Sequence, residues 1–276
     1  MTSGTTTSKT DGHLDDLPGA IDCAHWTAGE GEALFLIHGI GASHATWDRI
    51  VGHLKADFQC ISYDLRGHGV SPLPDGPFGL DALVADLEAL RARLGIEQAH
   101  FAGHSLGGMI GPAYARRFPD RVKTLGLLST AAARTEDDSA KVRGVVAAME
   151  RDGIPNILST LVNRWYTDDF AKANPDIVAA RLAQITGMSA AVFLNVFHIY
   201  AETEMAPWLH EVSAPSLVLT GELDGACNPR LNKIIHDLLP VSELVILDGL
   251  KHSILMEAPE RVAAELRRFI RSGRGQ

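Results

Sequence analysis

Apolar positions along this chain follow two alternating patterns. Short, nearly continuous apolar runs suit strands buried on both faces. They occur at Ala33-Leu34-Phe35-Leu36-Ile37, at residues 58–63, at His100-Phe101-Ala102, at Val122–Leu128, at 216–220 and at 243–247. Between them, apolar residues recur every three or four positions, the period of an amphipathic helix. Trp47, Ile50, Val51 and Leu54 mark a helix over 43–54. Leu83, Val84, Leu87, Leu90 and Leu94 mark one over 80–94, closed by Gly95. Further helices are expected over 109–118, 230–239 and 259–271, and a first antiparallel strand over 21–26, ahead of the Gly29-Glu30-Gly31 turn. This alternation predicts an α/β fold with a doubly wound, mostly parallel sheet.

Past Ser129 the alternation stops. Residues 139–151, 154–166, 175–186 and 189–202 all read as helices, with no strand between them, until the strand at 216–220. The expectation is a core formed by 18–130 and 207–276, with an inserted helical cap over 131–206. Residues 1–17 lack an apolar stretch and begin Thr/Ser/Gly-rich, which reads as a disordered tail and not a secretory signal.

Composition narrows the class. A chain of 276 residues, 46% hydrophobic, suits one large domain or a core with an insertion. Its net charge of −9 and its lack of Lys/Arg runs argue against nucleic-acid binding. No apolar run approaches the roughly 18 residues of a membrane helix. The three cysteines, Cys23, Cys60 and Cys227, are scattered and odd in number, as for free thiols in a reducing cytoplasm. No metal-ligand spacing and no cofactor motif is visible. The partner expected is a small-molecule substrate, and nothing marks an oligomer interface.

The chemistry centres on Gly103-His104-Ser105-Leu106-Gly107-Gly108, which stands between a strand and a helix. Gly-x-Ser-x-Gly in that setting is a nucleophile elbow, a turn so tight that small residues must flank the serine. A serine hydroxyl needs a base to take its proton and an acid to orient that base. With the chain order Ser, acid, His, the candidates follow the last two strands. Asp224 in Gly221-Glu222-Leu223-Asp224-Gly225 is preferred to Glu222, because the loop has left the strand by then. His252 in Asp248-Gly249-Leu250-Lys251-His252 is the base, and Asp248 is assigned to the turn. The backbone N–H groups of Ile40 and Leu106 are the expected oxyanion donors. His38 is expected to bond loop backbone.

Together, His38-Gly39-Ile40-Gly41, Asp64-x-Arg66-Gly67-His68-Gly69-x-Ser71, the elbow, Gly221-x-x-Asp224 and Gly249-x-x-His252 resemble the α/β-hydrolase superfamily. Within it, the run from Leu106 to Gly111 and the stretch Asn163-Arg164-Trp165-Tyr166-Thr167-Asp168-Asp169-Phe170 are similar to the 3-oxoadipate enol-lactonase group. The resemblance implies an α/β-hydrolase fold and cofactor-free serine hydrolysis of a small ester or lactone. Carbon–carbon or amide hydrolysis by the same triad is an alternative, and so is a ligand-binding receptor on the same fold. His104, Arg134, Arg164, Trp165 and Phe197 are the candidate pocket residues. The arginines would be there to hold a substrate carboxylate.

Overall fold

The computed structural model describes residues 19–273, so the expected tail over 1–17 lies outside the described residues. In chain order the elements are β1 (His25–Ala28), β2 (Glu32–Ile37), α1 (Asp48–Leu54), β3 (Phe58–Tyr63), α2 (Leu80–Arg93), β4 (Ala99–His104), α3 (Gly107–Arg117) and β5 (Val122–Leu128). There follow α4 (Glu136–Asp152), α5 (Ile154–Trp165), α6 (Asp168–Ala173), α7 (Pro175–Gly187) and α8 (Ala190–Glu202). The chain closes with β6 (Ser216–Gly221), α9 (Pro229–Leu238), β7 (Ser242–Leu247), α10 (Ile254–Glu257) and α11 (Pro259–Ser272).

The seven strands form one sheet in the order β1-β3-β2-β4-β5-β6-β7. β1 runs antiparallel to β3, and the other pairings are parallel. The apolar run of β2 is continuous because both sides are covered. Phe35 and Ile37 join a core built with α2, α3 and α9, whereas Leu34 and Leu36 join one built with α1 and α11. This is the period-two geometry of a strand between two helical layers. Because β2 to β7 are parallel, the segments after Ile37, Tyr63, His104, Leu128, Gly221 and Leu247 all leave from the same edge of the sheet. That edge is where an open α/β sheet binds its ligand.

Helices α4 to α8 are inserted between β5 and β6 and carry their own core, with Val146, Met149, Leu158, Leu161, Ile185 and Phe193 buried. Local signals set their starts. Thr135 and Asp138 form a reciprocal capping box at α4, and Ser189 caps α8. Among the described residues no single helix is long and apolar enough to cross a membrane.

Three details differ from the sequence reading. The first strand is His25–Ala28, not 21–26. The N–H groups of Ile21 and Ala24 are taken by Asp86 Oδ1 (2.8 Å) and Ser71 Oγ (2.9 Å), so this stretch bonds side chains before the ladder begins. The helix expected over 43–54 opens as a 3-10 turn, His44–Trp47. Finally, α6 is an additional cap helix, six residues long and too short to show a period, started by the Thr167 side chain accepting from Phe170 N at 3.3 Å.

Candidate active site

Ser105 follows β4 at φ 56°, a left-handed conformation that is uncommon outside glycine. The turn around it is closed by backbone. Ser105 N donates to Leu128 O (2.9 Å), while its own carbonyl accepts from Gly108 N and Thr130 Oγ1, both at 2.9 Å. A Cβ on Gly103 would run into the Gly107 carbonyl, and one on Gly107 into the Ile37 carbonyl. Two glycines are therefore required by packing alone. Leu106 occupies the N-cap of α3, so its N–H stands at the positive end of that helix.

Asp224 and His252 meet across 28 residues of sequence, Nδ1 to Oδ2 at 2.7 Å. A carboxylate only accepts, so Nδ1 carries the proton and Nε2 is left as the ring's basic atom. Asp224 is 2% exposed, and its other oxygen accepts from the Ala226 and Cys227 amides at 3.0 and 2.8 Å. Burial opposes its charge, but His252 and these amides outweigh burial and hold the carboxyl below its ordinary value. Burial likewise opposes a charged His252, and the Asp224 carboxylate overrides it and raises the imidazole's pKa. The rival acid, Glu222, instead accepts from Gly249 N at 3.0 Å, and Asp248 pairs with Arg261.

The loop after β2 is held by two buried histidines. His38 donates from Nδ1 to Gly39 O (2.8 Å) and accepts from Leu65 N at Nε2 (3.0 Å). His68 donates to Arg66 O (3.0 Å) and accepts from Gly41 N (3.1 Å). Both rings are fully used as neutral imidazoles. Burial lowers His38 well below the ordinary value and takes His68 to about 4. His104 lies against His252, with ring centroids 4.9 Å apart, and donates from Nε2 to the His252 carbonyl at 2.9 Å. Burial lowers it to about 3, so no second positive charge competes beside His252.

Ser105, His252, His104, Gly39 and Ile40 line one cavity of about 460 Å³ beneath the helical cap. Its cap wall is mostly apolar and aromatic, with Val142, Val145, Leu161, Trp165, Phe197 and Tyr200.

Known proteins share this arrangement of elements. The sequence matches the family described as the alpha/beta hydrolase fold over residues 32–259. The chain belongs to the α/β-hydrolase family. It is 29% identical, over 254 residues, to 3-oxoadipate enol-lactonase 2 of Acinetobacter baylyi, covering 91% of this chain and 94% of that protein. The structure of the enol-lactonase from Burkholderia xenovorans superposes with a TM-score of 0.83 at 23% identity, covering 90% of this chain and 96% of that one. A thermophilic esterase from Thermogutta terrifontis gives a TM-score of 0.81 at 27% identity, covering 93% and 95%.

In this α/β-hydrolase, four of the five expected pocket residues, His104, Arg164, Trp165 and Phe197, line the cavity. Arg134 does not. Its guanidinium stacks 4.3 Å above the Tyr200 ring and donates to the carbonyls of Tyr200 (3.0 Å) and Thr203 (3.4 Å). The carbonyl end of α8 is where a cation is favoured, and Tyr200 faces the cavity in its place. Leu106 contributes its side chain to the core and not to the cavity wall. A further cap arginine, Arg181, reaches the site. From α7 it reaches the carbonyls of Ile40 (2.7 Å) and Gly41, and it lines the cavity. Nothing in its local sequence sets it apart from a solvated cap arginine. Among the described residues, Asp224, Cys227 and His252 place possible metal-ligand atoms within 4.8 Å of one another. A metal there would displace the proton that joins Asp224 to His252.

Proposed function

We propose that this α/β-hydrolase cleaves a small ester or lactone, in the manner of an enol-lactonase, through an acyl-enzyme on Ser105. The observation that carries the reading is the Asp224–His252 bond of 2.7 Å, made by a histidine that shares a cavity with a serine at φ 56°. His252 Nε2 takes the proton of Ser105 as its oxygen attacks the carbonyl. Asp224 fixes the tautomer and stabilises the imidazolium that forms. The amides of Ile40 and Leu106 meet the oxyanion. His252 then protonates the leaving oxygen, which in an enol-lactone departs as an enol and tautomerises to the ketone. Water, activated by the same imidazole, hydrolyses the acyl-enzyme and restores Ser105. His38, His68 and Arg181 support this chemistry by holding the Ile40 loop from three sides.

The test is turnover of 4-nitrophenyl acetate, an enol-lactone acid, an acyl-homoserine lactone and a vinylogous diketone acid by wild type and Ser105→Ala. The expected result is turnover of the enol-lactone that falls by roughly 10³-fold or more in kcat on losing the hydroxyl. Undiminished turnover in Ser105→Ala refutes the nucleophile. Turnover of the diketone alone moves the reaction to carbon–carbon cleavage, and a single slow turnover with retained ligand moves the protein to the receptor class.

A further inference from the structure

The cavity carries a charge opposite to that of the chain. The protein has 34 acidic residues against 25 Lys and Arg. Yet the described residues lining the cavity include two guanidiniums, Arg164 and Arg181, and no Asp or Glu. Arg164 lies in the last turn of α5 and is exposed. Arg181 is placed differently. Its Nη2 donates to Ile40 O at 2.7 Å, and its Nη1 donates to Gly41 O and, at 3.0 Å, to Gln184 Oε1. Its guanidinium carbon lies 5.2 Å from the centre of the Trp165 ring. A guanidinium has five N–H bonds. Three are used here, which leaves the Nε–H and one Nη2–H without a hydrogen bond to the described protein. No acidic side chain among the described residues pairs with Arg181. Burial draws its pKa down to about 10, so it stays cationic at neutral pH. A half-buried cation facing a cavity that is lined by a second guanidinium and by no carboxylate among the described residues is costly unless an anion joins it.

We propose that Arg181 is a two-sided positioning and specificity residue. Part of its guanidinium clamps the Ile40 and Gly41 carbonyls, and its free N–H groups take a carboxylate borne by the substrate. This rests on the Ser105 reading above and adds the group that selects the substrate. Arg is suited to the role because its planar fork can serve several acceptors at fixed angles, which an ammonium cannot. Recognition is then coupled to chemistry. A bound carboxylate immobilises Arg181, and Arg181 immobilises the loop that carries the Ile40 N–H. The benefit of the carboxylate therefore appears in kcat as well as KM.

The test uses two esters of equal length, 4-nitrophenyl hexanoate and 4-nitrophenyl monoadipate, with wild type, Arg181→Met, Arg181→Lys and Arg164→Met. Circular dichroism and thermal unfolding verify that each variant is folded. Wild type is expected to prefer the anionic ester by roughly tenfold or more in kcat/KM. Arg181→Met should erase the preference and lower kcat on both esters. Arg181→Lys should keep part of the preference while losing kcat, since one ammonium cannot replace the clamp. Turnover of both esters by wild type without a preference overturns the proposal, as does adipate binding that Arg181→Met leaves unchanged. So does a preference that survives Arg181→Met but vanishes in Arg164→Met. Calorimetric binding of adipate to Ser105→Ala, with and without Arg181→Met, reads the anion site without turnover. Adipate binding that requires Arg181 supports the anion site even if neither ester turns over, an outcome that would count only against the nucleophile.

Discussion

Whether a side chain near Ser105 is charged depends on burial set against a neighbour. His38, His68 and His104 are buried without a carboxylate bonded to the ring, and all three are pushed below the ordinary imidazole range. His252 is half-buried with Asp224 bonded to it and is pushed up. As the proposed general base, His252 must be neutral to act, so activity is expected to rise as pH climbs through its pKa and to be lost below it. Asp224 lifts that pKa, so the rising limb of kcat/KM is expected above the unperturbed value of about 6.5. It should be a single limb, since the other three rings stay neutral throughout that range. Asp224→Asn should shift the limb to lower pH and cut kcat by about 10³–10⁴-fold. A wild-type limb at or below the unperturbed value would contradict this account. Ser105, Asp224 and His252 were legible as candidates because each lies in a short Gly-bounded segment directly after a strand. Arg181 was not legible. Its partners, Ile40 and Gly41, lie about 140 residues away, and no local pattern marks it.

At the scale of elements, the elbow shows how one strand–turn–helix unit depends on single atoms. Gly103 packs against the backbone of Gly107 and Gly108, which cannot move aside without breaking the start of α3. Gly103→Ala is therefore expected to destabilise the fold by roughly 2–3 kcal/mol. For a chain of this size that lowers Tm by roughly 5–10 °C, measurable by calorimetry. An unchanged Tm would show that the turn relaxes. The periodic helices α2, α3, α9 and α11 and the six apolar strands β2 to β7 lie within a few residues of their expected positions. The misjudged elements are those where side chains outside the segment decide. Asp86 and Ser71 delay β1, and a threonine cap starts α6.

Across the whole molecule, a buried ion pair ties distant stretches together. Arg66, in the loop after β3, forms a two-bond pair with Asp86 of α2 at 2.7 and 2.6 Å. Asp86 also accepts from Ile21 N, and the Phe78 ring lies 5.3 Å from the Arg66 guanidinium. Both side chains are buried, so removing one leaves the other charged and uncompensated. Asp86→Ala should cost about 3–5 kcal/mol in urea unfolding. A loss below about 1 kcal/mol would mean that water reaches Arg66 in the variant.

The sequence by itself determined the sheet class, the helical insertion after β5 and the residues put forward as nucleophile, acid and base. These follow from periodicity and turn chemistry, which act over a few residues and leave their mark on neighbouring positions. Only the tertiary structure decided which carboxyl meets His252 and which arginine faces the cavity. Arg134 and Arg181 are both cap arginines, and composition cannot separate them. One closes the end of α8 while the other crosses to the Ile40 loop, because helix packing over the sheet edge brings together segments that share no local pattern.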